Sequence, residues 1–588
     1  MNQPMKSIPY GMSEFASIQK NNMFYVDKTK FIPVLESASR YVFFIRPRRF
    51  GKSLWLSTLQ YYYDINDKDQ FETIFKDTWI CGRPTRERNS YLILSFNFAA
   101  VNPDVRYVED SFEQYGKTII HDFFERYRSF FTDEERRHTQ SFSRTEHQLK
   151  NLFLQVARKK LKLYLFIDEY DNFANSILTA SGKRAYETLT RGEGFFRFFF
   201  NNLKTATSNK GSGLDRMFVT GVSPITMDDV TSGMNIGDAV SLNPLFSEAL
   251  GFSEQEVYEM LAYYLPDMFA SQDSDMETKT RFLLSIMEKW YGQYRFSIEN
   301  EIRVFNPDMV LYFIKEMRVV KKLPADMIDQ NIKIDYNKLR YLMRVDRKLN
   351  GNFSRLKQIL EDGSVSCKIE TSFPLDHLTG QNNFVSLLYY FGLLTIESAR
   401  GARHVLTIPN QTVKMLMYGY FREAMRDVDI FSMDLWKFAD LMDGMVYEGK
   451  WRPLFEFISD AIKNQTSVRD YLEGERAVQV FMLAYLSMTE YYIASTEREM
   501  SKGYADIFLE PFLSKFPDMR FGYLIELKYI PRGEYTDKKR DETIEAASRQ
   551  LEKYADDANL KKISRGYELK KLVLVYNGWE LVYCSELG

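Results

Sequence analysis

The sequence predicts an α/β protein in which two separate sheets are joined by a helix-rich middle region. Up to about residue 240, short apolar runs alternate with helical segments, a pattern typical of a parallel sheet covered by helices on both faces. Residues 245–325 are predicted to be mainly helical, and two strands bearing polar residues follow near the C-terminus. The expected strands of the first sheet are 41–45, 91–96, 163–167 and 216–224.

Composition and charge are those of an ordinary globular chain. Of its 588 residues, 45% are hydrophobic and 27% charged, and a usual domain size of about 150 residues predicts three or four domains. The net charge of −2 excludes a global electrostatic attraction to nucleic acid, so any such contact needs a local basic patch.

The cysteines and the N-terminus bear on the compartment. Cys81, Cys367 and Cys584 have no paired spacing, which argues against a disulfide framework or a zinc site and fits a reducing cytoplasm. The first residues are polar, and no apolar run approaches the ~18 residues of a membrane span. We therefore expect a cytoplasmic protein with no membrane partner.

A phosphate-binding loop is predicted between the first strand and the helix after it. The loop and helix start comprise Arg46, Pro47, Arg48, Arg49, Phe50, Gly51, Lys52, Ser53 and Leu54. Gly51 allows the backbone to approach a phosphate, Lys52 supplies a positive charge, and Ser53 can ligate Mg²⁺. The helix N-terminus adds about half a positive charge. Because Arg46 replaces the first glycine of G-x-x-x-x-G-K-[ST], a chance Gly-Lys-Ser in a basic turn is the alternative.

A strand ending in two acidic residues completes the predicted nucleotide site. The apolar run 163–167 is followed by Asp168 and Glu169. In this position Asp168 can hold Mg²⁺ and Glu169 can orient and activate an attacking water. An ordinary strand end is the alternative. However, the spacing between Gly-Lys-Ser and the Asp-Glu pair is usual for nucleotide-binding folds, and it favours an ATP·Mg²⁺ site.

A second acidic constellation is predicted near the C-terminus. Asp506 lies in one expected strand, and Glu526 and Lys528 share one face of another, because side chains along a strand repeat every two residues. If the strands are adjacent, the two carboxylates can bind Mg²⁺ while the lysine orients or helps to deprotonate water. The alternative is an edge strand with a cross-strand salt bridge.

The chain resembles a known family over most of its length. The resemblance is carried by Met12–Phe15, Tyr25–Thr29, the loop RPRRFGKSL and the strand end LFIDEYDN. These are similar to the AAA-ATPase-like family of Bacteroidetes type, whose members carry a C-terminal PD-(D/E)XK nuclease-like domain. That family itself has the altered first glycine, so Arg46 does not imply a decayed loop.

The C-terminal residues resemble the PD-(D/E)XK core in their order. Asp506, Glu526 and Lys528 are followed by a helix carrying Gln550 and Tyr554, and 571–576 matches the closing core strand. The resemblance implies Glu475 as a further acidic residue on an upstream helix. It also implies that Gln550 and Tyr554 are accessory residues of the nuclease site.

The resemblance also implies roles near the nucleotide. Thr220 or Ser223, after the strand beside Asp168, would sense the γ-phosphate, although a hydroxyl that satisfies a turn explains either equally well. Asp27 or Lys28 would touch the base or ribose, with a capped helix start as the alternative. A lid helix could place an arginine at the nucleotide, and Arg295 and Arg303 are the nearest candidates.

Four domains are expected from these features. They are a P-loop AAA-ATPase-like core (1–245), a helical lid (246–325), a helical or winged-helix-like connector (326–425) and a PD-(D/E)XK nuclease-like domain (426–588). The connector shows no basic recognition helix, so joining the domains is favoured over binding DNA.

The expected function is ATP hydrolysis coupled to Mg²⁺-dependent cleavage of nucleic acid, with DNA favoured. Handling of foreign DNA, or defence against it, is the setting implied by the domain pairing. The alternatives are a nucleotide-operated switch or scaffold that binds but does not cut nucleic acid, and a nuclease whose altered loop binds ATP without hydrolysing it. AAA-type sites are often completed by an arginine from a neighbouring subunit, so a homo-oligomer stays open.

Overall fold

The computed structural model describes most of the chain. The described residues are 4–191, 194–209, 211–225, 229, 237–269, 275–334, 344–345, 348–378, 380, 382–500, 503–555 and 558–587. Within them, no helix combines the length and apolar character needed to cross a membrane.

The strands are numbered in chain order. They are β1 (Tyr41–Ile45), β2 (Leu92–Asn97), β3 (Leu163–Asp168), β4 (Leu214–Gly221), β5 (Asp238–Ala239), β6 (Arg344–Val345), β7 (Lys348–Leu349), β8 (Ser364–Cys367), β9 (Thr395–Arg400), β10 (Arg403–Thr407), β11 (Tyr492–Met500), β12 (Gly503–Pro511), β13 (Phe521–Ile530), β14 (Glu568–Asn577) and β15 (Glu580–Leu587).

The α-helices of the described residues are numbered in the same way. They are α1 (Phe15–Lys20), α2 (Ile32–Ser37), α3 (Lys52–Tyr63), α4 (Phe71–Ile74), α5 (Val108–Arg126), α6 (Asp133–Gln140), α7 (Thr145–Arg158), α8 (Asn172–Thr190), α9 (Phe195–Ser208), α10 (Glu254–Met268), α11 (Met276–Tyr291), α12 (Pro307–Val320), α13 (Gln330–Ile334), α14 (Gly351–Asp362), α15 (Asn383–Tyr390), α16 (Gln411–Asp427), α17 (Leu435–Glu448), α18 (Arg452–Lys463), α19 (Glu475–Leu486), α20 (Asp537–Ala555) and α21 (Ala558–Ile563).

The chain divides into two compact units. The first comprises residues 1–321 and 366–410, and the second comprises 322–365 and 411–588. The segment predicted as a connector, 326–425, therefore contributes to both units. The expected domain limits at 245, 325 and 425 stay predictions.

The first unit is built on a five-stranded parallel sheet. Its strand order is β2-β3-β4-β1-β5, so the strands that end at the predicted loop and at Asp168 are separated by β4 alone. Every residue of β3 is buried, as expected for a parallel strand with helices on both faces. The sequence prediction of a helix-covered parallel sheet is confirmed.

The first unit also contains an antiparallel hairpin near residue 400. β9 and β10 pair antiparallel, with Arg403 opposite Arg400 and Thr407 opposite Thr395. α15 precedes them in the chain. Near the N-terminus, a 3₁₀ turn at Thr29–Phe31 leads into the short helix α2.

The second unit carries a five-stranded mixed sheet with the order β11-β12-β13-β14-β15. Only the central pair, β13 and β14, is parallel, and the other neighbours run antiparallel. α20 covers one face of the sheet, where Ala547, Leu551 and Tyr554 pack on Phe508 and Leu524. The expected small α/β domain at the C-terminus is confirmed.

Candidate active sites

The predicted phosphate-binding loop lies between β1 and α3. Gly51 adopts a left-handed conformation with φ 87°, which glycine reaches without strain, and it forms the N-cap of α3. Trp55 N donates to Gly51 O at 3.0 Å, so the helix begins directly after the glycine. The first-turn N–H groups of α3 are thus placed at the end of the loop, as an anion site requires.

Lys52 lies inside this loop. Its Nζ donates to the carbonyl oxygens of Arg46 at 3.0 Å and Pro47 at 2.8 Å. Burial lowers the pKa of Lys52 to about 8, although the nearby carboxylates of Asp168 and Asp171 act in the opposite direction. The ammonium group is therefore held at the loop's centre by backbone oxygens.

Ser53 and Asp168 meet across the sheet edge. Ser53 Oγ donates to Asp168 Oδ2 at 2.7 Å, and Glu169 N donates to Asp168 Oδ1 at 2.9 Å. Burial raises the pKa of Asp168, which is 4% exposed. A hydroxyl and a buried carboxylate in contact are hard oxygen ligands, so these residues fit Mg²⁺.

Glu169 is positioned by an unusual backbone. Its φ of 49° lies in the left-handed region, which few non-glycine residues adopt. The carboxylate of Glu169 accepts a hydrogen bond from Asn172 Nδ2, and the backbone of Tyr170 is tied to Thr220 O. Strained backbone of this kind is found where a side chain must be aimed.

Arg46 has a role that its sequence position did not indicate. Its guanidinium is buried and donates to the carbonyl oxygens of Ser241 at 2.6 Å and Phe246 at 3.2 Å. The same group lies 4.6 Å from the centre of the Phe44 ring and 4.1 Å from that of Phe296. Arg46 can therefore line the loop through its backbone only, because its side chain points into the core.

Two more loop residues fasten the loop to the first unit. Phe50 is 1% exposed and meets Tyr294 and Phe296 edge to face, at 4.9 and 5.4 Å between ring centres. A Cβ on Gly392 would lie 2.8 Å from Pro47, so the chain passes this close only because residue 392 is glycine. The contacts of Phe50 and Pro47 hold this part of the loop against the rest of the first unit.

The candidate phosphate sensors are engaged with backbone. Thr220 Oγ1 donates to Phe44 O at 2.8 Å within the sheet, which favours a structural role for its hydroxyl. Ser223 N donates to Asp171 Oδ2 at 2.8 Å, and Ile225 N donates to Ser223 Oγ at 3.3 Å. Ile167 of β3 is paired with Val219 of β4, so Thr220 lies within β4 at the level of Asp168, and Ser223 follows that strand.

The leader and lid candidates also make structural contacts. Lys28 is buried and ion-paired with Glu256 at 2.6 Å, and Asp27 accepts from the N–H groups of Thr29 and Trp79. The Arg295 guanidinium donates to four backbone carbonyls of the first unit. Arg303 pairs with Glu397 at 3.0 Å.

The second constellation is built by three elements of the second unit. β12 and β13 pair with Ile507 opposite Ile525, which brings Asp506 beside Glu526 on the same face. Lys528 lies 2.7 Å from Glu526 Oε1 and 3.3 Å from Asp506 Oδ2, and 3.6 Å from Glu475 Oε1 at the start of α19. The structure thus brings together all four residues predicted here.

Glu526 is the most confined member of the site. Its side chain is fully buried, and apart from the ion pair with Lys528 neither carboxylate oxygen accepts a hydrogen bond from a described residue. Burial and the adjacent charge of Asp506 raise the pKa of Glu526. Buried acceptors without donors fit a divalent cation.

The charge of Lys528 is secured by its neighbours. Burial alone would lower the pKa of its ammonium, but Asp506 and Glu526 raise it above the ordinary value. Within the described parts of the chain, no three His, Cys, Asp or Glu side chains form a ready-made metal cluster. The ammonium group lies where it offsets the carboxylates.

Gln479 is a site residue that sequence reasoning missed. Its Nε2 donates to the backbone oxygen of Asp506, which links α19 to β12. Gln479 follows Glu475 by four residues on the same helix, and this spacing places both on one face. The available signal was a lone amide within an apolar helix.

The accessory pair lies on α20. Gln550 Nε2 donates to Tyr554 Oη at 2.6 Å. Burial raises the pKa of Tyr554, and the charges of Glu526 and Asp506 add to the effect. Tyr554 also packs in the apolar cluster with Phe508 of β12 and Leu524 of β13, the two strands that bear the carboxylates, and its accessory role stays a prediction.

The fold and the two sites define a chain with a P-loop ATPase-like domain and a nuclease-like domain. Residues 9–231 match the family model described as predicted AAA-ATPase, and residues 473–586 match that of the PD-(D/E)XK nuclease superfamily. The chain therefore combines a segment of each family; the predicted resemblance is confirmed for these two ranges, and the Bacteroidetes type stays a prediction.

Two individual proteins are similar to parts of this chain. A protein of Azotobacter chroococcum mcd 1, described as an uncharacterized protein in the vnfD 5′ region, is 26% identical over 319 residues, which is 53% of this chain and 52% of that protein. The chain thus spans about half the length of this curated relative. A Walker-type ATPase of Pyrococcus abyssi is 10% identical with a TM-score of 0.36, over 71% of this chain and 99% of that one. At that score the likeness carries no argument about the fold.

Proposed function

We propose that this protein binds and hydrolyses ATP in its N-terminal domain and cuts nucleic acid with Mg²⁺ in its C-terminal domain. DNA is the expected substrate. The observation that carries the proposal is the contact of Lys528 with Glu526, Asp506 and Glu475 at 2.7, 3.3 and 3.6 Å. Three carboxylates gathered on one ammonium, two of them on neighbouring strands, are costly to bury without a chemical use.

In the nucleotide site, the loop around Gly51 and the ammonium of Lys52 would hold the phosphates. Ser53 and Asp168 would hold Mg²⁺, which when bound neutralises charge on the phosphate oxygens. Glu169 would take the proton of the attacking water. Asn172 Nδ2 donates to one oxygen of that carboxylate and would hold its orientation.

In the nuclease site, Asp506 and Glu526 would hold the divalent cation, with Glu475 nearby. A bound Mg²⁺ would polarise the scissile phosphate and its water. Lys528 stays protonated beside the two carboxylates, so it would orient the water and stabilise negative charge on the phosphate oxygens. Gln479 would keep β12 in place through the Asp506 carbonyl.

The biological setting proposed is the handling of foreign DNA, or defence against it. It rests on the pairing of an ATPase-like segment with a nuclease-superfamily segment in one chain.

Cleavage of plasmid, linear duplex and single-stranded DNA with Mg²⁺ or Mn²⁺ tests the nuclease half. Asp506→Ala should lower the rate at least about 100-fold. The matched control Asp518→Ala, at an exposed loop position between β12 and β13, should cut like the wild type. No cleavage by the wild type with either metal, or equal cleavage by Asp506→Ala, would overturn this half of the proposal.

A further inference from the structure

Two arginines share one tryptophan at an edge of the second sheet. Trp579 lies in the turn between β14 and β15. Arg532 is two residues after the end of β13, and Arg469 lies on the 3₁₀ turn Thr466–Tyr471. The guanidinium carbon of Arg532 is 3.5 Å from the centre of the Trp579 ring, and that of Arg469 is 4.5 Å from it. We name these three residues the arginine–tryptophan stack.

The stack lies near the C-terminal ends of β13 and β14, and β13 also bears Glu526 and Lys528 of the acidic site. β13 and β14 are parallel and end together, with Ile530 opposite Asn577, and Gly578 N donates to Ile530 O at 2.9 Å. Lys528 is two residues before the end of β13. Because four residues of extended chain span at most about 13 Å, the backbone of Arg532 lies within about 13 Å of that of Lys528.

The turn is shaped to receive the arginine. Gly578 has φ 58°, and a Cβ at that position would lie 2.9 Å from Cγ of Arg532. Glycine therefore permits both the turn and the approach of the Arg532 side chain. Packing on the indole holds the guanidinium in a fixed place, which lowers the entropy lost when it binds an anion.

The positive charges and N–H donors of the stack are only partly matched by carboxylates and acceptors of the described residues around it. Among the described residues, the carboxylate in contact with Arg532 is that of Glu580 at 3.5 Å, and the Arg532 side chain is 48% exposed, so that ion pair is weak and open to competition. No described residue accepts from Arg469 Nε or Trp579 Nε1. Two guanidiniums that pack on one ring concentrate positive charge at this place.

A nucleic-acid strand that approaches the acidic site needs such cations. Asp506, Glu526 and Glu475 repel its phosphates, and Lys528 is already engaged with all three. Guanidinium groups match phosphate oxygens bidentately, and most contacts of nucleic-acid-binding proteins go to the backbone.

We propose that Arg532 and Arg469 bind the phosphate backbone of the strand that enters the nuclease site, a few nucleotides from the cleaved bond. The inference rests on the proposed nuclease function. Trp579 supports the two guanidiniums and does not read a base, because they occupy its ring.

Salt-dependent binding of full-length protein to labelled DNA and RNA oligonucleotides, measured by fluorescence anisotropy in EDTA, tests this site apart from cleavage. Each lost phosphate contact lowers the slope of log affinity against log salt by about 0.7 to 0.9. Arg532→Ala should show that loss and bind several-fold more weakly, whereas Arg532→Lys should keep the slope. Arg469→Ala should behave like Arg532→Ala.

A matched control is Arg452→Ala. Arg452 is also an exposed arginine beside a tryptophan: its side chain is 52% exposed, and its guanidinium lies 5.3 Å from the centre of the Trp451 ring. It donates to the backbone oxygen of Cys584, which is paired with Leu574 in the middle of β14 and not at its C-terminal end. Its removal should leave affinity and slope unchanged. Thermal unfolding of each variant separates a lost contact from a lost fold.

The outcomes separate the two proposals. If Arg532→Ala changes the slope but the wild type never cuts, the phosphate site stands and the nuclease activity fails. If the wild type cuts but both arginine variants bind like Arg452→Ala, the phosphate site is wrong and the nuclease stands. Absence of any oligonucleotide binding by the wild type also overturns the phosphate site.

Discussion

Ser53 Oγ donates to Asp168 Oδ2 at 2.7 Å, although the two residues are 115 positions apart in the chain. The bond joins the first turn of α3 to the end of β3, so two oxygen ligands suited to Mg²⁺ are in contact. Such prior placement lowers the cost of assembling a metal site. We therefore expect changes at Ser53 to act on metal-dependent binding.

Ser53→Ala should weaken ATP binding in Mg²⁺ by roughly 10- to 100-fold, because a hydrogen bond to a charged group contributes about 1.5–3 kcal/mol. In EDTA the variant should bind like the wild type. Titration calorimetry with and without Mg²⁺ measures both, and Ser53→Thr, which keeps the hydroxyl, is the control. An equal loss in EDTA would show that Ser53 does not act through the metal.

Arg46→Ala should destabilise the first unit by about 3 kcal/mol or more, because it removes two ring contacts and leaves the carbonyls of Ser241 and Phe246 without a donor. Urea unfolding measures the change, and Arg46→Lys should lie between Arg46→Ala and the wild type. ATP affinity of the folded variant should fall less than that of Lys52→Ala. Wild-type stability with lost ATP binding would instead place the Arg46 side chain at the nucleotide.

Glu526→Gln should abolish cleavage without lowering the melting temperature in EDTA. The substitution removes a buried carboxylate that faces Asp506, and Lys528 keeps its contacts with Asp506 and Glu475. Any stabilisation of the wild type by Mn²⁺ should disappear in the variant. Differential scanning calorimetry measures these melting temperatures, and Glu568→Gln, at an exposed position of β14, is the control variant. A fall of many degrees in EDTA would mean that Glu526 is mainly a structural ion-pair partner.

Lys414→Met should change how stability depends on pH. Burial lowers the pKa of Lys414 to about 8, and its Nζ donates to Ala494 O at 3.0 Å. Between pH 8 and the unfolded-state value of about 10.5, the unfolded chain holds a proton that the folded chain has released, so the wild-type free energy of unfolding rises with pH.

The stability advantage of Lys414→Met should therefore be largest below pH 8. It should shrink by roughly 1 to 3 kcal/mol as the pH rises toward 10.5. Urea unfolding from pH 7 to 10 measures the difference, with Lys437→Met at an exposed position of α17 as control. A difference that stays constant across this range would contradict the stated shift.

The sequence predicted those parts of the sites that are local in the chain. Gly51, Lys52 and Ser53 follow one another, Asp168 and Glu169 end one strand, and a spacing of two residues places Glu526 and Lys528 on one face. Motif spacing and period-two alternation suffice for such groups. Asp506 was predicted from its own strand, although its partner strand had to be assumed adjacent.

Contacts that depend on distant residues could not be predicted. The Arg46 guanidinium binds carbonyls 195 and 200 positions away, and its loop position suggested a phosphate instead. Gln479 is a lone amide within a helix whose other described residues are largely apolar, but this pattern does not indicate its partner, the backbone of Asp506. The return of residues 366–410 to the first unit is likewise a property of the folded chain.

The most direct test of the account is DNA cleavage by the wild type, Asp506→Ala and Lys52→Ala, with Mg²⁺ and with or without ATP. We predict that ATP changes the wild-type rate, that Asp506→Ala never cuts, and that Lys52→Ala cuts without responding to ATP. Lys76→Ala, at an exposed position, should behave like the wild type. A wild type that hydrolyses ATP but leaves DNA intact under every condition would contradict the account and favour a nucleotide-operated switch.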